Sequence, residues 1–76
     1  MTKREMMMRL IYGYFHETNS LKINIDQIVE LLEGAGIDMS RGGISSIMSI
    51  ERRQGYIHSV RSGEYMLGHR KRDQWN

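Results

Sequence analysis

The sequence predicts a mainly helical α+β domain, three helices closed by a C-terminal two-stranded β-hairpin. Three observations carry that reading. Apolar residues recur at helical spacing in three separate stretches. Gly55 then stops the third stretch, and two alternating runs follow, residues 56–60 and 64–67, around Arg61-Ser62-Gly63. The 76 residues allow one domain with one small core, assigned to residues 1–68.

The first helix is expected over residues 3–16. Thr2-Lys3-Arg4-Glu5 has the capping-box form, in which hydroxyl and carboxylate satisfy orphan amides reciprocally. At about 100° per residue, Met6, Leu10, Tyr14, Met7 and Ile11 share one face, and Phe15, Met8 and Tyr12 continue onto a second. Such an arc is wider than one core contact needs. Either the helix is sandwiched within the domain, or Met8, Tyr12 and Phe15 form a homodimer interface; the shortness of the chain favours the second.

Glu17-Thr18-Asn19-Ser20 reads as a polar connection, and Leu21-Lys22-Ile23 suits a short edge strand between the first two helices. Asn24 is a good N-cap for a second helix over residues 25–33, with Ile25, Ile28, Val29 and Leu32 as its buried stripe. Gly34 is expected to end it in the left-handed conformation. A third helix, capped by Asp38 or Ser40, should run to about Gln54 and bury Ile44, Ile47 and Met48, with Ile50 or the stem of Glu51 beside them. Gly42 and Gly43 weaken its first turn by up to about 1 kcal/mol each if helical. Residues 69–76 read as a basic polar tail, for which disorder is one reading.

Composition narrows the function. Without cysteine there is no disulfide framework, thiolate metal cluster or thiol nucleophile, and an intracellular, cytoplasmic setting is expected. No apolar run approaches the roughly 20 residues that span a bilayer. The net charge of +2 conceals a split. Residues 1–40 hold four basic against six acidic side chains, whereas residues 41–76 hold seven against three. A basic C-terminal half suits a polyanionic partner, though a solvated face with a basic tail has the same composition.

The order helix, short strand, helix, turn, helix, hairpin resembles the winged helix-turn-helix superfamily of DNA-binding domains. The residues carrying the resemblance are Ile25-Asp26-Gln27-Ile28-Val29-Glu30-Leu31-Leu32 as scaffold helix, residues 40–53 as recognition helix, and Gly55-Tyr56-Ile57 with Gly63-Glu64-Tyr65-Met66-Leu67 as wing. Arg41-Gly42-Gly43 departs from the pattern, placing glycines where helix-forming contact residues usually stand.

The resemblance implies a sequence-specific partner of double-stranded DNA, a transcriptional regulator of bacterial, phage or mobile-element origin acting as a homodimer. Arg41, Ser45, Ser46, Ser49, Arg52 and Arg53 lie away from Ile44 and Ile47, where small hydroxyls permit close approach and arginines grip phosphate or guanine. Arg61 on the wing and the Arg70-Lys71-Arg72 cluster are further expected contacts. The alternative is a winged-helix protein-interaction module, such as a phage-type inhibitor of a host protein. No catalytic constellation, cofactor loop or metal spacing stands out: His16, His58 and His69 lack ligand spacing, and Gly34-Ala35-Gly36 lacks the third glycine of a dinucleotide loop. The expectation is a non-enzyme without cofactor or metal.

Overall fold

A computed structural model describes residues 2–70. The elements are α1 (Lys3–Thr18), β1 (Ile23–Asn24), α2 (Ile25–Gly34), α3 (Arg41–Arg53), β2 (Ile57–Arg61) and β3 (Glu64–Leu67). The three strands form one antiparallel sheet in the order β1-β3-β2. The architecture is therefore α+β and mainly helical, a layout compatible with a winged helix.

Local chemistry sets most boundaries. At the start of α1 the Thr2 hydroxyl accepts the Glu5 amide at 3.1 Å, while the Glu5 carboxylate accepts from the Thr2 amide at 3.2 Å and from its hydroxyl at 3.0 Å. Those bonds, the backbone one foremost, hold the Glu5 carboxyl below its ordinary pKa. Their contribution is complete above the ordinary carboxylate range and is lost as pH falls through the lowered value. The helix runs two residues beyond the expected His16, because Asn19 adopts the left-handed conformation (φ 52°) that asparagine tolerates.

The strand expected over residues 21–23 pairs only at Ile23 and Asn24, opposite Tyr65 and Glu64. Asn24 then caps α2 through a second capping box with Gln27, both bonds at 2.8 Å. Gln27 Nε2 also donates to the Tyr14 hydroxyl at 2.9 Å, fastening this corner to α1.

Gly34 is not the left-handed residue. It is still helical, and Gly36 takes the positive φ of 71°. The later turn lets Gly36 and Ile37 donate back to the Glu33 and Leu32 carbonyls at 3.1 and 2.9 Å, and it returns Ile37 to the core. The same stop closes α3: Gly55 (φ 85°) and Tyr56 donate to the Arg52 and Glu51 carbonyls. At the other end Ser40 is the N-cap, accepting from the Gly43 amide at 3.1 Å, so Gly42 and Gly43 are helical.

The core is built from Met7, Met8, Ile11 and Phe15 of α1, Ile23, Ile28, Leu32, Ile44, Met48 and Ile57. This corrects the reading of α1. Met8, Tyr12 and Phe15, expected at a dimer interface, are only 0%, 8% and 4% exposed within the single chain. The sector containing Met6, Leu10 and Tyr14 is instead the half-buried one. With nearly the whole helix apolar, periodicity did not locate the centre of the buried face. What locates it is Arg4, on the same side as Met8 and Ile11, whose Nε donates to Glu51 at 3.0 Å and whose terminal nitrogen also pairs with that carboxylate. Glu51 lies on the inner side of α3 and is fully buried. The pair thus pins the start of α1 to the last turn of α3.

The chain beyond β3 does not leave the fold at once. Gly68 donates to the Tyr56 carbonyl at 2.9 Å, and the Arg70 amide donates to the Gly55 carbonyl at 3.1 Å. His69 and Arg70, assigned to the tail, are therefore docked beside the α3 stop. A Cβ on Gly68 would sit 2.8 Å from the Gly55 carbonyl carbon and closer still to its oxygen. Gly68→Ala is expected to break this docking and cost about 1–3 kcal/mol, read as a lower urea midpoint. An unchanged midpoint would show that the two bonds hold nothing.

Candidate nucleic-acid interface

On α3 the buried residues Ile44, Met48 and Glu51 define the inner face. About 100° per residue then puts Ser46, Ser49 and Arg53 outermost, with Arg41, Ser45 and Arg52 on the flank next to Met48. Exposure agrees: Ser46, Ser49, Arg52 and Arg53 are exposed, and Ser45 is half-buried.

The hairpin closes the other wall. Ser59 lies opposite Tyr65, and beyond that pair the register slips, so that Arg61 faces Glu64 and Val60 is bulged out. Gly63, at the hairpin tip with φ 76°, offers its carbonyl to the Ile25 amide at 3.0 Å. That bond satisfies an orphan donor of α2 and fixes the hairpin against the helix start.

Between α3 and the hairpin lies an open cleft of about 210 Å³. Ser45, Ser49, Ser59 and Ser62 line it together with Arg52 and Tyr65. Four hydroxyls and a guanidinium around one groove make a surface of hydrogen-bond donors with a positive charge at its rim, suited to phosphate oxygens or base edges. Ser62 and Tyr65 belong to the wing read from the sequence, whereas Ser59 was not singled out there. Alternation along β2 carried the signal for Ser59, which shares a sheet face with buried Ile57 and so looks toward α3.

The arginines divide into two groups. Arg41 pairs with Asp26 at the start of α2, both side chains well exposed. Arg61 Nε donates to Glu64 at 3.0 Å, and Lys22 Nζ is 4.0 Å from the same carboxylate. Arg70 is anchored, its guanidinium 4.8 Å from the centre of the Tyr56 ring and bonded at 3.2 Å to the Gln54 carbonyl. Arg52 and Arg53 are exposed and, among the described residues, have no carboxylate partner. The expected contacts Lys71 and Arg72 lie outside the described residues.

Among the described residues no group of three or more His, Asp or Glu side chains is placed to hold a metal ion. No helix there is long and apolar enough to cross a membrane. Compared with protein-family models, curated proteins and solved structures, the chain matches none.

Proposed function

We propose that the chain is a small winged-helix protein that binds double-stranded DNA as a transcriptional regulator, with α3 in the major groove and the hairpin as the wing on the adjacent backbone. The observation that carries this reading is the convergence of the Met48 flank of α3 and the hairpin on one groove lined by serines and Arg52. The strand order β1-β3-β2 supports it, because β1 and the Gly63–Ile25 bond hold the hairpin at a fixed angle to α2 and α3. Gly42 at the start of α3 suits this reading: it is exposed, with only the Ser40 hydroxyl near the space a Cβ would fill, so the backbone there is open to close approach.

A homodimer remains part of the expectation, but not through Met8, Tyr12 and Phe15, which the core consumes. Selection of bound sequences from a random duplex pool tests DNA binding, specificity and half-site symmetry together. An enriched motif is the expected result, palindromic if two copies bind. Recovery of no bound duplex even at low salt would reject the proposal.

The second reading, a winged-helix module that binds protein, is favoured by one observation. Two of the arginines expected to meet DNA, Arg41 and Arg61, already have carboxylate partners within the chain. On that reading, charge reversal at Arg52 and Arg53 leaves the biological activity intact.

A further inference from the structure

A second cleft of about 440 Å³ opens on the far side of Arg52, between the end of α3 and the start of β2. Arg52, Arg53, His58 and His69 line it, with Gln54, Gly55, Ile57 and Ser59 completing the wall. Arg70 sits beside it over Tyr56. The side chains come from three places in the chain: the last turn of α3, the outward face of β2 and the docked segment after Gly68.

The charge balance of this cleft is one-sided. Among the described residues no carboxylate lines it. Glu51, the acidic residue of α3, is buried on the opposite side of that helix against Arg4, and Glu64 is engaged by Arg61 at the far end of the hairpin. The end of a helix carries partial negative charge on its free carbonyls, which would repel an anion. Here the Ile50, Glu51, Arg52 and Gln54 carbonyls accept from the Gln54, Gly55 and Tyr56 amides and from the Arg70 guanidinium. What faces solvent is the basic side chains rather than the bare helix end.

We infer that this cleft is a second anion-binding site, one that takes a backbone phosphate of the bound duplex between Arg53, His58 and His69. The inference rests on the DNA-binding reading for its ligand. Its recognition chemistry is distinct from that of the serine-lined groove. Arg53 supplies a fixed charge on a planar donor fork, and the two imidazoles beside it add ring N–H donors. Among the described residues the charged side chains that line the cleft with the two imidazoles are Arg52 and Arg53, with Arg70 beside it over Tyr56, and a bound phosphate would offset their mutual repulsion.

The test is duplex affinity across a salt series for the wild type, for Arg53→Ala and for His58→Gln with His69→Gln. Both variants, checked for an unchanged melting midpoint, should bind the duplex more weakly, and Arg53→Ala should lower the slope of log affinity against log salt by about 0.9. Wild-type affinity in the double histidine variant overturns the inference while leaving DNA binding intact. If none of these proteins binds duplex at any salt concentration, the DNA reading fails, and an NMR titration with inorganic pyrophosphate then decides the cleft alone. Shifts of the His58 and His69 ring signals support an anion site; silence at both rings rejects it.

Discussion

Arg4→Ala is expected to destabilise the fold by about 3 kcal/mol, the low end of what breaking a buried ion pair costs. The low end applies because Arg4 is itself about one-third exposed, with a side-chain exposure of 35%. Glu51 is not exposed at all, so losing its cation leaves a carboxylate in the core with its principal counter-charge gone. In a 76-residue chain with a thin stability margin, such a loss is a large share of the total. Urea unfolding measures it as a lower midpoint at an unchanged slope. Adding Glu51→Met should recover most of the loss, since an apolar side chain of similar size needs no partner. A cost for Arg4→Ala below about 1 kcal/mol, the range of exposed pairs, would mean that the pair is only a surface contact.

The second large effect concerns function. Arg52→Ala with Arg53→Ala is expected to weaken duplex binding at least tenfold and to reduce the salt slope by about 2, roughly one unit per phosphate contact removed. Both side chains are exposed, so stability should change little. Affinity measured across a salt series, alongside a melting curve, separates the two properties. An unchanged slope with an intact fold would remove these arginines from any duplex contact and favour the protein-binding reading.

The parts of the fold legible in the sequence were those governed by local chemistry. The caps at Thr2, Asn24 and Ser40, the stop at Gly55 and the hairpin at Ser62-Gly63 each depend on a few adjacent residues. Features set by contacts distant in sequence were harder to read. Periodicity gives no reason to bury Arg4 and offers the stem of Glu51 only as one of two neighbours of the α3 core, whereas their pairing across 47 positions draws both into the α1–α3 contact. For the same reason helical spacing left Met8, Tyr12 and Phe15 free for a dimer, whereas the core buries all three. Gly36 rather than Gly34 turns the chain because Ile37 has to reach the core, and a glycine pair separated by one residue leaves that choice open. Of the candidate site, the α3 side chains were readable from helical spacing. Ser59, Tyr65 and the histidine-lined cleft depended on strand register and on the docking of residues beyond Gly68.

The two residues of β1 carry a consequence for how the chain can be divided. Ile23 and Asn24 find their strand partners only at Tyr65 and Glu64, about forty positions later, and Arg4 finds its own at Glu51. The surface formed by α3 and the hairpin is thus held from behind by residues that precede it by most of the chain's length. A fragment starting at α2 would keep every side chain of the candidate groove yet lack the third strand and the counter-charge for Glu51. The groove is therefore not carried by α3 and the hairpin alone; its backing reaches back to Arg4 and β1.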